Sequence, residues 1–302
     1  VIYLATDPPL LVPIVVVIYS KLFGARYVYH VQDIHPEASR IVFAVLRTKL
    51  FRCVYISLRW LDAVVVRNAA AIITLTSEMG TALAARYSDN FLPISYISNP
   101  SAEIPIEYIP IKYDFSFVGN AGRLQLFPII VAALRLYLSE GGAGKFAFAG
   151  GGVMSKDLEK LSNDYPKNVI YFGKVPVSAA TQITLGSSWA MLPIEDEVCR
   201  YAFPSKAATY AMARKKILAI CGENTSVGYW VSRNHLGVVI PPDVDSITAF
   251  LNKFDKASID TQISVEQSKE FYRSISNECF VKNVTEVVIQ VRDSIHQMKG
   301  QH

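Results

Sequence analysis

The chain has 302 residues, of which 51% are hydrophobic and 19% charged. That composition excludes a disordered polymer and suffices for two α/β domains with separate cores. A net charge of +4 suits anionic ligands or an anionic membrane surface and is too mild for a nucleic-acid binder.

Residues 1–5 read as a core strand with nothing before it, so the N-terminal domain is expected to lack its start. Residues 10–19 are strongly apolar but about half the length of a membrane span and contain Pro13, which predicts a buried helix over 9–23. A strand follows over 26–32, helical patterning over 38–68 and a strand over 71–76. Ser77 is the expected cap of the next helix, and residues 91–97 close this half. Pro100, Pro105 and Pro110 mark a linker. Further strands are expected over 113–118, 145–149, 168–172, 189–193, 217–220 and 236–240, with helices between them. The predicted domains are 1–108 and 109–302, the C-terminal helices belonging to the second. Alternating strands and helices predict parallel sheets, with ligands at the carboxyl ends of the strands in a cleft between the domains.

Cys53, Cys199, Cys221 and Cys279 are far apart, without Cys-x-x-Cys or histidine at zinc spacing. Neither a disulfide framework nor a metal site is expected, and a reducing compartment is the simpler reading. No signal-peptide pattern is visible.

Gly119-Asn120-Ala121-Gly122 follows a strand and is read as leading into a helix, an arrangement that offers backbone N–H groups to a phosphate. A tight turn is the plain alternative. Arg123 can add charge-assisted bonds. Gly150-Gly151-Gly152 and Gly173-Lys174 end the next two strands and fit either close approach to a ligand or ordinary loops. Pro204-Ser205-Lys206 precedes a helix that Ser205 can cap, its first N–H groups facing an anion. Asp33-Ile34-His35-Pro36-Glu37 ends a strand. Its carboxylate and imidazole suit catalysis, or a turn. Glu195-Asp196-Glu197 can meet sugar hydroxyls or be a solvated loop. Asp243-Val244-Asp245 imitates a metal motif, but helix capping explains it better. Arg47, Lys49, Arg52, Arg59 and Arg67 interleave with Phe51, Tyr55 and Trp60, which fits either a helix lying on anionic lipid or an ordinary surface helix.

Four of these segments occur together in one family. Asp7-Pro8-Pro9, Gln32-Asp33-Ile34-His35-Pro36-Glu37, Gly119-Asn120-Ala121-Gly122 and Pro204-Ser205-Lys206, in that order, resemble the GT4 glycosyltransferases of GT-B fold, closest to the bacterial colanic acid, O-antigen and capsule group. The resemblance implies two Rossmann-like doubly wound α/β domains, the N-terminal one incomplete. It implies a retaining transfer from a nucleoside-diphosphate sugar, without metal or other cofactor, to a saccharide or lipid-linked acceptor at the cytoplasmic face of the plasma membrane. Gly119, Asn120, Gly122, Arg123 and Lys206 would face the diphosphate, and Asp33 would sit at the catalytic edge. The family's ribose-gripping glutamate falls here on Thr209 or Tyr210, and its Gly-Lys-Pro has become Arg214-Lys215-Lys216. A non-catalytic scaffold subunit and a sugar-nucleotide epimerase are the competing readings.

Overall fold

The computed structural model describes residues 1–6, 11–38, 49–87, 94–104, 109–256 and 269–299. Asp7-Pro8-Pro9, Arg47 and Pro105 lie outside them. The chain divides into two compact units. One comprises Val1–Pro100, Arg200–Phe203 and Arg273–His302, and the other Ser101–Cys199 and Pro204–Tyr272.

The first unit carries a parallel sheet whose strands neighbour one another in chain order: β1 (Ile2–Ala5), β2 (Tyr27–Val31), β3 (Ala71–Thr74) and β4 (Ile94–Tyr96). Helices α1 (Leu11–Phe23), α2 (Lys49–Asn68) and α3 (Ser77–Arg86) connect them. Every residue of β2 and β3 is buried. That is why these segments read as nearly unbroken apolar runs and do not alternate. Tyr27, Tyr29, Val31 and Ile72 pack with Val17, Val65 and Met79 on one side. On the other side, Val28, Ala71 and Ile73 pack with Val287 and Val291 of the C-terminal helix (Asn277–Lys299).

The second unit holds six parallel strands: β5 (Tyr113–Val118), β6 (Phe146–Ala149), β7 (Val169–Tyr171), β8 (Ser187–Pro193), β9 (Lys216–Ile220) and β10 (Gly237–Ile240). Their spatial order is β10-β9-β8-β5-β6-β7. The chain winds outward from β5 in one direction, returns to β8 and winds outward in the other. This is the doubly wound order, and it creates a switch point between β5 and β8. Helices α4 (Phe127–Ser139), α5 (Ser155–Asp164), α6 (Val177–Leu185), α7 (Lys206–Met212), α8 (Ser226–Arg233) and α9 (Val244–Lys256) cover its faces. The core is aromatic. Phe115 stacks on Phe146 with centroids 5.3 Å apart, and Phe250 meets Trp189 edge-on at 5.8 Å. Such geometry favours aromatic pairs beyond their buried area.

Four expectations are corrected. The C-terminal helix belongs to the first unit, because Val287 and Val291 cover the open face of β2 and β3. The first unit's leading stretch ends at Pro100, where 108 was expected. Helix α1 is not buried: only Pro13 and Val17 are, while Leu11, Val15, Ile18, Leu22 and Phe23 are exposed. Thr76, one residue before Ser77, caps α3, its hydroxyl accepting from Met79 N at 3.2 Å. Asp243 behaves as expected for a cap. Its carboxylate accepts from Ser246 N at 2.7 Å and Ser246 Oγ at 2.8 Å, which holds its pKa low.

His30 on β2 is fully buried, its Nδ1 2.6 Å from Tyr3 Oη and its ring 5.9 Å from that of Phe280 on the C-terminal helix. Burial lowers its pKa from 6.5 to about 4. The unfolded chain therefore takes up this proton at a higher pH than the folded chain does. The stability contributed by neutral His30 is complete above pH 6.5 and is lost as the pH falls towards 4, a change of about 3 kcal/mol at most. Urea denaturation between those pH values should show this slope, and His30→Phe should flatten it. An unchanged slope in the variant would assign the acid sensitivity to other groups.

Candidate functional site

The carboxyl ends of β5 and β8 flank the switch point, and the second unit's candidate site is built there. Gly119 directly follows β5 with φ +147°, a conformation that disfavours a side chain. A Cβ at this position would also collide with the ammonium and Cε of Lys206. The Lys206 side chain thus lies directly over the Gly119 backbone, its Nζ 5.6 Å from the centre of the Phe117 ring. Burial lowers the Lys206 pKa. Among the described residues no carboxylate forms an ion pair with it. A half-buried ammonium without a counter-charge is what an anion site requires.

The glycine turn differs from the sequence reading. It does not open a helix directly, since α4 starts only at Phe127, after Leu126 in a left-handed conformation. Its amides are partly engaged: Gly119 N donates to Ala149 O at 2.8 Å, Ala121 N to Gly151 O at 2.7 Å and Gly122 N to Asn120 O at 3.1 Å. Gly150 and Gly152 serve this contact. A Cβ on Gly150 would clash with Gly119 O, and one on Gly152 with Ala121 O. The three glycines therefore let two loops pack backbone to backbone. Asn120 and Arg123 are exposed, whereas Gly122 is buried.

Glu195 follows β8, and its N–H donates to Leu124 O at 3.0 Å, tying it to the same turn. Burial raises its pKa, helped by Glu197 and Asp196. Asp196 instead accepts from Gly222 N at 2.7 Å. Ser205 is exposed, adopts helical dihedrals (φ −56°, ψ −25°) and makes no side-chain cap of α7, contrary to the capping expectation. Lys206 is the first residue of that helix.

Neither residue at the family's glutamate position stands as an open sugar contact. Thr209 Oγ1 accepts from Ala102 N at 3.1 Å. Tyr210 is 2% exposed, and burial raises its pKa. The altered Gly-Lys-Pro segment has a structural account. Arg214 takes φ +53°, the left-handed position after α7 that glycine commonly fills. Arg214 N donates to Ala211 O and Lys215 N to Tyr210 O, the two bonds of a Schellman ending. The Arg214 guanidinium lies 5.5 Å from the Tyr272 ring centre, and Lys215 Nζ donates to Leu185 O at 2.6 Å.

In the first unit Asp33 is exposed just past β2. A backbone bridge joins it to Ala202, and Ile34 N donates to Tyr201 O at 2.8 Å. Beside it lies a charged network that the sequence reading did not include. Arg86 donates to Asp62 Oδ2 at 2.5 Å, to His35 O at 3.1 Å and to Glu37 Oε2. Tyr87 Oη donates to the same Asp62 oxygen at 2.9 Å. The side chains of Arg86, Asp62 and Glu37 are 6%, 7% and 13% exposed. The available signal was Asp62, a lone carboxylate inside the apolar run of α2. A cavity of about 510 Å³ opens against this network. Among the described residues, no group of histidines, cysteines and carboxylates could hold a metal ion, and no helix is long and apolar enough to cross a membrane.

No family profile matches the chain. In sequence it is similar to the probable glycosyltransferase WbjE of Pseudomonas aeruginosa, 26% identical over 257 residues, which cover 80% of this chain. The chain spans about three fifths of that relative, 62% of its length. In fold it is similar to sucrose-phosphate synthase of Thermosynechococcus elongatus, with TM-score 0.66 and 13% identity over 94% of this chain and 72% of that one. It is also similar to HepE of Anabaena, solved with UDP (TM-score 0.63, 11% identity, 92% and 76% covered). A third likeness is to WaaG, a glycosyltransferase involved in lipopolysaccharide biosynthesis (0.56, 14%, 85% and 76%). With its two Rossmann-like α/β units, the chain has the fold of the GT-B glycosyltransferases.

Proposed function

We propose that the protein is a retaining glycosyltransferase that takes a sugar from a nucleoside diphosphate and passes it to a saccharide, carried on a lipid, in surface polysaccharide synthesis. The observation that carries this reading is Lys206, an ammonium with no carboxylate partner among the described residues, laid on Gly119 at the switch point of a doubly wound sheet. HepE, of the same fold, was solved with UDP. On this reading Lys206 and Arg123 offset the charge growing on the leaving diphosphate, which is where preorganised electrostatics contribute most. Asn120 and Ser205 face the same group from the exposed rim. Glu195, tied to the turn by its backbone bond to Leu124, meets donor hydroxyls. Asp33 acts at the acceptor side. No metal is required, because the cationic side chains do its work. Thr209 and Tyr210 leave the ribose without its usual carboxylate, which weakens donor binding and is the one observation in favour of the scaffold reading.

UDP or GDP should raise the melting temperature, with stabilisation of about 2.7 kcal/mol at roughly 100 times the dissociation constant. Lys206→Ala should weaken diphosphate binding by about 1.5–3 kcal/mol and leave uridine or guanosine binding unchanged. No shift at saturating nucleotide would support the scaffold. Equal loss for nucleoside and nucleotide would put Lys206 outside the phosphate site.

The same reading places the protein on the inner face of the plasma membrane. Helix α1 exposes Leu11, Val15, Ile18, Leu22 and Phe23, and α2 exposes Ile56 and Trp60. Lys21, Arg59 and Arg67 are exposed on these helices, and their one carboxylate, Asp62, is buried. An anionic lipid surface complements such a face, at about 1 kcal/mol per basic residue. The protein should sediment with phosphatidylserine vesicles at low salt and leave them at about 1 M salt, where the Debye length is about 3 Å. The double variant Trp60→Ala/Arg67→Ala should bind less, and Lys156→Ala/Lys253→Ala should bind like the parent. Equal binding by both, or none by the parent, would rule the face out.

A further inference from the structure

The turn after β2 carries Asp33, and much of its hold on the first unit comes from one side chain. Within the turn, Ala38 N donates to Ile34 O at 2.9 Å. Towards the stretch Arg200–Phe203, Ile34 N donates to Tyr201 O at 2.8 Å and Asp33 bridges to Ala202. Ile34 is buried in the core of the unit. At His35 and Glu37 the anchor is Arg86, the last residue of α3. It donates to His35 O at 3.1 Å and to the Glu37 carboxylate, and the same guanidinium donates to Asp62 Oδ2 on α2 at 2.5 Å. One planar group thus ties the turn to two helices. Its partners are themselves held. Tyr87 Oη donates to the same Asp62 oxygen at 2.9 Å, and Tyr55 Oη on α2 donates to Glu37 Oε1 at 3.3 Å.

Packing alone does not account for this arrangement. A buried arginine between two carboxylates seldom offsets its own desolvation, and apolar side chains join two helices equally well. Apolar side chains cannot, however, address a particular backbone carbonyl. Arginine presents its donors in a fixed fork, and two of its acceptors here, His35 O and Glu37, belong to the turn. The fork therefore sets the direction in which the turn leaves β2. Asp33 is exposed, and a loop residue so placed owes its geometry to the scaffold behind it. That geometry matters to chemistry, because a misplacement of about 1 Å can cost about a hundredfold in rate.

We propose that Arg86 is a positioning residue for sugar transfer, which acts by clamping the turn so that Asp33 keeps its place at the carboxyl end of β2. The inference rests on the glycosyltransferase reading and names the group through which its acceptor-side carboxylate is held. Lysine is no substitute, since an ammonium has no fork to span His35 O, Glu37 and Asp62 together. Asp62 steadies the guanidinium from behind, and its loss leaves the two bonds to the turn in place.

The test is steady-state kinetics with amide hydrogen exchange on the full chain. The donors are UDP-glucose, UDP-galactose, UDP-N-acetylglucosamine and GDP-mannose, each offered with a mixture of octyl glycosides as acceptors, and released UDP or GDP is measured. With the donor that the parent turns over, Arg86→Lys should lower kcat about a hundredfold and leave the donor KM unchanged. Exchange over residues 34–38 should quicken about tenfold, while β3 exchanges as in the parent and so reports a folded unit. The double variant Asp33→Asn/Arg86→Lys should be no slower than Asp33→Asn alone, because the clamp acts through Asp33. If Arg86→Lys does not fold, Asp62→Asn carries the test, with kcat lowered about tenfold for one weakened charge-assisted bond and the same quickening over residues 34–38. A raised KM at unchanged kcat, an additive double variant, an unchanged kcat in the folded variant or unchanged exchange in the turn overturns the proposal. Any of these in a protein whose parent turns over a donor sinks the clamp alone. A parent that releases no nucleotide from any donor overturns the glycosyltransferase reading, and the proposal with it.

Discussion

A half-buried ammonium with no carboxylate ion-paired to it among the described residues is the constraint around which the rim at the carboxyl end of β5 is arranged. Lys206 reaches Gly119 only because position 119 has no side chain, and Gly119 is held by its bond to Ala149 O. That bond brings the β6 loop against the turn, and this contact in turn demands Gly150 and Gly152. Glu195 joins through Leu124. One uncompensated charge thus sits at the centre of several backbone contacts. Taking an ammonium partly out of water costs stability, and an anion that offsets its charge is favoured there.

The first unit makes the opposite choice. Its buried arginine is fully paired, with two carboxylates and a backbone carbonyl around it. A paired network of this kind fixes direction and register. The two cations are thus handled in opposite ways: among the described residues Lys206 has no ion-pair partner, and Arg86 has two.

Much of this was legible in the sequence. Most strands lie within two residues of their expected places, because buried parallel strands such as β2 and β3 read as nearly unbroken apolar runs. The glycine turn and Lys206, read together from the sequence, lie against each other in the fold, although the turn was read as a helix start. That error arose because sequence shows the glycines but not that Gly119 and Ala121 spend their amides on the neighbouring loop. Helix α1 was read as buried because its residues are apolar on every side, and composition cannot reveal which side lacks a neighbour. The Arg86 network escaped because its members, Glu37, Asp62 and Arg86, are far apart in sequence and only the fold brings them together. Arg214 is the reverse case. The departure from glycine was visible, yet its left-handed backbone and its place over Tyr272 were not.

The C-terminal helix bears on how the protein is made. Val28, Ala71 and Ile73 are covered by Val287 and Val291, which are translated more than two hundred residues later. A chain emerging from the ribosome must carry an uncovered apolar sheet face through the whole synthesis of the second unit. Domains usually complete their folding in order of emergence. Here the second unit has all its residues by Tyr272, whereas the first gains its covering helix only with Asn277–Lys299. During that interval its sheet face is a target for chaperones. A ribosome that stops before Val287 releases a chain whose second unit is complete and whose first is not.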